Sequence, residues 1–72
     1  MEQHKIIVSY RDLDAEQNNI TKITELAIGK GIEYTVEKAK PLLAAQDFTF
    51  PAVNHNGRLY NYEDGYKVLA EL

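Results

Sequence analysis

The chain has 72 residues, of which 44% are hydrophobic and 26% charged, and its formal net charge is −3. A chain of this length forms one small domain, here residues 1–72, and its eight Lys and Arg residues are scattered instead of forming the basic face that binds a nucleic-acid backbone. It contains no cysteine, which excludes disulfides, thiolate zinc sites and thiol chemistry.

The apolar segments are too short for a membrane protein. Runs such as Ile6-Ile7-Val8 fall far short of the about 20 residues that span a bilayer. The N-terminal Met1-Glu2-Gln3-His4 lacks the basic-then-apolar order of a signal peptide. We therefore expect a soluble cytoplasmic protein that contacts neither a membrane nor nucleic acid.

The first third of the chain predicts a strand followed by a helix. Lys5–Tyr10 contains three consecutive β-branched residues, which favours a central parallel strand buried on both faces. Asp14 and Gln17 have the spacing of a capping box and predict a helix that starts there and extends to about residue 30. Gly29 and Gly31 end it. The predicted inner face of this helix consists of Ile20, Ile23, Leu26 and Ala27.

The middle of the chain predicts a second strand and a short helix. Residues 32–37 alternate apolar and polar side chains, as a strand does. A strand, a helix and a strand within about 30 residues form a βαβ unit, so the two strands should be parallel and the crossover right-handed. Residues 40–46 then predict a short helix with Pro41 in its first turn.

The last third predicts a β-hairpin and a helix. Residues 50–54 and 58–61 flank His55-Asn56-Gly57, whose Asn-Gly pair favours a tight turn with positive φ. A helix over residues 63–72 should follow. Its predicted inward residues are Tyr66, Leu69 and Leu72.

The predicted order, β-α-β-α-β-β-α, places the chain in the α/β class, with a four-stranded mixed sheet and helices on its faces. The first and third helices should share one face. This order resembles the thioredoxin fold in its short glutaredoxin form, over almost the whole chain. The most specific stretch is Thr-Phe-Pro-Ala-Val at residues 49–53, followed by Asn56-Gly57 and by Tyr-Glu-Asp at residues 62–64. Glutaredoxins carry a similar Thr-Val-Pro-x-Val, Asn-Gly and Gly-Gly-aromatic-Asp-Asp series at matching spacing, and the small size also resembles the compact glutaredoxin-like proteins of phages.

The resemblance carries structural expectations and two departures. It implies parallel opening strands, a cis bond before Pro51, and a place for residue 51 in the sheet. The family's Cys-x-x-Cys, or its single Cys, would fall near residues 14–17, where this chain has no thiol. Without a thiolate, disulfide exchange cannot proceed, so we expect no enzymatic activity. The family's Gly-Gly pair, which lets glutathione approach the backbone, is replaced by Tyr60-Asn61.

The candidate site follows from the geometry that the resemblance implies. Pro51 would leave the main chain of Phe50 free to pair with an extended ligand; alternatively, Pro51 simply begins the third strand, where a missing N–H is harmless. By the same alignment, Tyr10, Tyr60 and Tyr62 would lie near this edge. Tyrosine suits both a protein interface and the rim of a thin core, and the sequence leaves both interpretations open for these three.

An acidic cluster precedes and begins the first helix: Asp12, Asp14 and Glu16. Such carboxylates can serve acid–base chemistry or bind Mg²⁺, but the dipole and cap of a helix start account for them sufficiently. His4 and His55 lie near the terminus and in the hairpin turn, and we interpret them as solvated surface residues. We therefore expect no metal and no cofactor.

Three functional hypotheses remain. In the first, the chain is a non-catalytic glutaredoxin-like module, an inhibitor or adaptor, that uses the edge at Phe50 and Pro51 with the tyrosines and acids to bind a protein with a basic surface. The alternative is a protein that binds glutathione or a small peptide without redox chemistry. The third is a weakly self-associating subunit, because a small domain gains stability by burying an interface.

Overall fold

The computed structural model describes residues 4–72 and contains a four-stranded sheet and three helices. In chain order the elements are β1 (Lys5–Tyr10), α1 (Leu13–Gly29), β2 (Glu33–Lys38), α2 (Pro41–Ala44), β3 (Ala52–His55), β4 (Arg58–Tyr60) and α3 (Tyr62–Ala70). The signal-peptide expectation concerns residues 1–3 as well, and these lie outside the described residues. Within residues 4–72, no helix has the length and apolar character needed to cross a membrane.

The sheet is mixed, in the strand order β2-β1-β3-β4. β1 pairs parallel with β2, and β3 pairs antiparallel with both β1 and β4. Val8 shows the central place of β1, since it lies opposite Val36 of β2 on one side and Val53 of β3 on the other. The predictions of an α/β class, a mixed sheet and parallel opening strands are confirmed.

The main core lies between the sheet and α1 with α3. The sheet contributes Ile6, Val8 and Val53, all fully buried, and α3 contributes Leu69. The remaining buried members are Ile20, Ile23, Ala27 and Ile32, with Tyr10, Leu26 and Tyr62 packed against them. The expected inner face of α1 is thus confirmed, and α1 and α3 share one face of the sheet as predicted.

The opposite face carries a smaller cluster. It consists of Ala39, Phe50 and Ala52, with Leu43, Ala44, Phe48 and Leu59 packed against it. α2 has only four residues, against the seven predicted, because the chain turns after Ala45. On this face of β1, Ser9 is buried and Ile7 is half-buried, so the predicted burial on both faces is confirmed at Ser9 and incomplete at Ile7.

The start of α1 differs from the prediction by two residues. Asp12, not Asp14, is the N-cap: its backbone is extended and its carboxylate accepts from the N–H of Ala15 at 3.4 Å. Glu16, not Gln17, reaches back and accepts from the N–H of Asp12 at 2.7 Å. The helix begins earlier because the loop after β1 contains only Arg11 and Asp12.

The inward face of α3 is also different. Leu69 is fully buried as predicted, but Tyr66 is 38% exposed and Leu72 is 45% exposed. Gly65 faces the sheet instead, and a Cβ on it would lie 2.6 Å from Cβ of Val53. Helix and strand approach so closely there that no side chain fits, and the remaining inward position belongs to Tyr62.

The hairpin is confirmed. Asn56 has φ of 51° and Gly57 has φ of 93°, the left-handed pair that the Asn-Gly turn requires. Asn56 also fastens the turn to β1, because its Oδ1 accepts from the N–H of Lys5 at 3.0 Å and its own N–H donates to the carbonyl of Lys5 at 3.1 Å.

The entry into β3 departs from the prediction by two residues. The Phe50–Pro51 peptide bond is cis, as expected. β3 starts at Ala52, so Pro51 lies immediately before the strand and one residue outside the sheet. The predicted strand over residues 50–54 is wrong at this end, and so is the place in the sheet that the resemblance implied for residue 51, since proline has no N–H to donate to the ladder and the first paired residues are Ser9 and Ala52.

Candidate functional site

The C-terminal ends of β1 and β2 and the first turn of α1 form a cleft at one end of the sheet. Parallel pairing places Tyr10 opposite Lys38 at the strand ends, and the two-residue loop brings α1 directly over them. The cleft has a volume of about 490 Å³. Its lining, which we call the α1 cleft, consists of Tyr10, Arg11, Asp12, Leu13, Asp14 and Lys38.

The three predicted acidic residues have different surroundings. Asp12 and Asp14 are exposed at the first turn. Glu16 is half-buried, and its carboxylate accepts from the N–H groups of Arg11, at 3.2 and 3.3 Å, and of Asp12. Glu16 therefore holds the loop in place, whereas Asp12 caps α1 and Asp14 is exposed to solvent.

Phe50 and Pro51 are both buried, so their side chains are not a contact surface. The guanidinium carbon of Arg11 lies 4.8 Å from the centre of the Phe50 ring, and Nη1 of Arg11 donates to the carbonyl of Ala44 at 3.4 Å. Arg11 thus covers the ring and joins the end of β1 to α2. Only the main chain of Phe50 remains for a ligand.

The segment before Phe50 is held by the chain that follows the hairpin. The N–H of Thr49 donates to Oδ1 of Asn61 at 2.9 Å, and the carbonyl of Thr49 accepts from the N–H of Tyr62 at 3.0 Å. The N–H and the carbonyl of Thr49 are therefore both engaged, by Asn61 and Tyr62, and are not open to a ligand. Within residues 4–72, no hydrogen bond engages the N–H or the carbonyl of Phe50.

The three tyrosines singled out by sequence line three different clefts. Tyr10 packs against the main core and lines the α1 cleft. Tyr60 lines a cleft of about 470 Å³ beside α3, with the Arg58 guanidinium 5.5 Å from its ring centre. Tyr62 lines a third cleft, of about 570 Å³, between α1 and α3, and it packs on the core and against Tyr66, with ring centres 6.2 Å apart. Burial, and secondarily Tyr66, raises the pKa of the Tyr62 hydroxyl above its ordinary value.

Sequence reasoning missed Arg11, Leu13 and Lys38. Leu13 is 48% exposed between the two exposed carboxylates of the cleft. The signal for it was present, because an apolar residue in an otherwise polar loop at a helix start is unusual unless it contacts something. Arg11 and Lys38 gave no comparable signal, since their place depends on the strand register.

The two histidines are not isolated surface residues. Nδ1 of His4 lies 3.0 Å from Nε2 of His55, and both residues are half-buried. Their expected role as separate solvated side chains is therefore wrong. Within residues 4–72, no group of three or more His, Cys, Asp or Glu side chains converges as a metal site would require.

The α1 cleft supplies an exposed leucine, a tyrosine and charges of both signs, a combination suited to binding. Known proteins give no further guidance, since the chain matches no family model, no curated protein and no solved structure.

Proposed function

We propose that this chain is a non-catalytic, glutaredoxin-like module that binds another protein in the cytoplasm, as an inhibitor or an adaptor. The binding surface is the α1 cleft with the adjoining main chain of Phe50. The β-α-β-α-β-β-α order and the mixed sheet support the resemblance to the thioredoxin fold. The lack of cysteine supports the absence of redox chemistry.

The observation that carries the proposal is the exposure of Leu13. Nearly half of its side chain is open to solvent, with Asp12 and Asp14 on either side and Tyr10 in the same cleft. An apolar centre next to a tyrosine and within a polar rim is the composition of a protein interface. Leu13 also follows the N-cap directly, so the rigid first turn of α1 fixes its position.

The exposed carboxylates of the α1 cleft favour a partner with a basic surface. Asp12 and Asp14, which form the acidic rim of the α1 cleft, lie at the N-terminus of α1. The helix dipole favours negative charge there, so it stabilises both carboxylates in the unbound protein. The lining also carries two positive charges, Lys38 on the β2 side and Arg11, whose guanidinium lies over the Phe50 ring and donates to the carbonyl of Ala44. A partner with a basic surface is attracted to the acidic rim, and the rate of association falls as salt is added.

The test compares two double variants with equal charge. D12N/D14N removes both carboxylates of the cleft and keeps the N-cap, because Asn caps as well as Asp. E25Q/E33Q removes two exposed carboxylates far from the cleft. Immobilised wild-type protein is expected to retain a partner from cell extract in a salt-dependent way. D12N/D14N and Leu13→Ser are expected to lose that partner, and E25Q/E33Q to keep it.

Equal loss with both double variants would show that overall charge, and not this cleft, attracts the retained protein. Retention unchanged in Leu13→Ser would contradict the proposal directly. Glutathione is tested separately by NMR. At about millimolar glutathione, the amide signals of Phe50 and Tyr62 should not shift, because Oδ1 of Asn61 already accepts the hydrogen bond of the Thr49 N–H. Saturable shifts would favour the glutathione-binding alternative.

A further inference from the structure

The face of the sheet opposite α1 and α3 is only partly covered. α2 supplies a single helical turn there, and Ile7, Leu43 and Leu59 stay half-buried. Beside α2 these side chains surround a cleft of about 190 Å³. Its full lining, which we call the α2 cleft, consists of Ile7, Ser9, Glu37, Lys40, Leu43, Asn54 and Leu59.

An exposed leucine lies next to the α2 cleft. Leu42, on the same turn as Leu43, is 84% exposed, more than any other large hydrophobic side chain in residues 4–72. Apolar cavities of about 150 Å³ accept a molecule the size of benzene, so the α2 cleft has room for a leucine side chain. The chain thus presents an exposed leucine, the knob, beside a cleft, the hole, whose apolar residues Ile7, Leu43 and Leu59 are joined by four polar ones; Leu42 does not line the cleft of its own chain.

The rim of the cleft carries charges of opposite sign. Glu37 comes from β2 and Lys40 from the residue before α2. In a two-fold symmetric contact the same patch meets itself, so a residue away from the axis that contacts a different residue of the second copy makes that contact twice. A patch that contains one acid, one base, one knob and one hole is complementary to itself under that symmetry.

We propose that this face docks a second copy of the chain. Leu42 of each copy enters the α2 cleft of the other, and Glu37 of each lies against Lys40 of the other. Each copy contributes one leucine anchor and one pair of opposite charges, so we expect a weak and reversible dimer, with a Kd of about 10 µM to about 1 mM. The proposal does not depend on the α1 cleft or on any protein partner.

The experiment is sedimentation equilibrium of the full chain from about 10 µM to about 1 mM. Leu42→Ser is expected to weaken association about tenfold or more. Ile28→Ser is the matched control, because Ile28 is also an exposed aliphatic residue on a helix, 63% exposed, but lies on the other side of the sheet. Thermal unfolding of Leu42→Ser at low concentration should match the wild type, since the side chain makes few contacts within one copy.

Charge reversal tests the geometry. Glu37→Lys and Lys40→Glu each place like charges across the two-fold axis and should each weaken the dimer. The double variant E37K/K40E restores opposite charges and should recover the wild-type affinity. A monomer at about 1 mM, an Ile28→Ser variant weakened as much as Leu42→Ser, or a double variant no tighter than its parents would each overturn the proposal.

Discussion

His4 and His55 meet through their ring nitrogens, 51 residues apart in sequence, where the chain enters β1 and where β3 ends. Nδ1 of His4 and Nε2 of His55 are 3.0 Å apart, the ring centres are 5.2 Å apart, and the planes are inclined by 21°. The two nitrogens therefore lie almost on the line between the ring centres. The two nitrogens can therefore share one proton in a hydrogen bond, whereas a proton on each nitrogen would place two N–H groups against each other.

Acid should weaken this contact and with it the fold. Burial, and secondarily the charge of His4, lowers the pKa of His55 below its ordinary value of 6.5. Between the folded pKa of His55 and pH 6.5, the unfolded chain therefore binds more protons than the folded chain, and the free energy of unfolding rises with pH. The contribution is complete above about pH 6.5 and is lost as the pH falls through the folded pKa of His55.

Urea unfolding at about pH 5.5 and about pH 7.5 measures the effect. His55→Gln is expected to lower the free energy of unfolding by about 0.5–1.5 kcal/mol at the higher pH and to flatten the pH dependence between the two conditions. His4→Gln should act in the same direction. If His55→Gln kept the wild-type pH dependence, other groups would be responsible for it.

Any side chain at position 65 is expected to destabilise the fold. A Cβ at this position would lie 2.6 Å and 2.7 Å from Cβ and Cγ2 of Val53, so strand and helix would have to separate. Overpacking of this kind costs about 1–3 kcal/mol, more than the about 1 kcal/mol that alanine gains over glycine in a helix. Gly65→Ala should therefore lower the free energy of unfolding in urea.

Gly29 provides the control for that substitution. It is the last residue of α1, and a Cβ there would meet no atom within 4 Å. Gly29→Ala is expected to be neutral or to stabilise by up to about 1 kcal/mol. In Gly65→Ala, the further change Val53→Ala should recover less than the full loss, because it leaves a cavity of its own. Equal effects of the two glycine substitutions would contradict the close approach of α3 to β3.

The N-cap assignment separates Asp12 from Asp14. Asp12→Ala removes the acceptor for the N–H of Ala15 and should cost about 0.5–2 kcal/mol. Asp12→Asn keeps an acceptor and should cost much less. Asp14→Ala removes only a favourable charge at the helix start, worth about 0.3–1 kcal/mol. Urea unfolding measures the free energy of unfolding of the three variants. A greater loss of stability in Asp14→Ala than in Asp12→Ala would show that Asp14 is the N-cap, as the sequence predicted.

Local patterns in the sequence were sufficient to predict the elements and their order. The Asn56-Gly57 turn and the inner face of α1 depend on neighbouring residues, and both were predictable for that reason. The inward face of α3 was not. Gly65 has no side chain and carries no apolar signal, and its burial becomes visible only when β3 lies beside it.

The candidate site was predictable only in part. Tyr10, Asp12 and Asp14 do line one cleft, but Lys38 joins them through the parallel register of β1 and β2, and Leu13 through the early start of α1. The pairing of His4 with His55 likewise depends on the register of β1 against β3, in which Ile6 lies opposite His55. Contacts set by strand register are not encoded in any local pattern.

Arg11 should stabilise the smaller core by covering it. Its guanidinium lies 4.8 Å from the ring centre of Phe50 and donates to the carbonyl of Ala44, so it closes the cluster between α2 and the sheet. A cation over an aromatic ring contributes about 0.5–1 kcal/mol at an exposed site, and Arg11→Ala should lower the free energy of unfolding by that amount.

Arg58→Ala is the matched control for this contact, because Arg58 also lies over a ring, that of Tyr60, but at 5.5 Å and on an exposed hairpin. It should have the smaller effect. The amide signals of Ala44 and Phe50 should shift in Arg11→Ala and stay in place in Arg58→Ala, since Arg11 contacts both residues and Arg58 lies over the ring of Tyr60. If Arg58→Ala destabilised the chain as much and moved the same signals, Arg11 would not hold these two segments together.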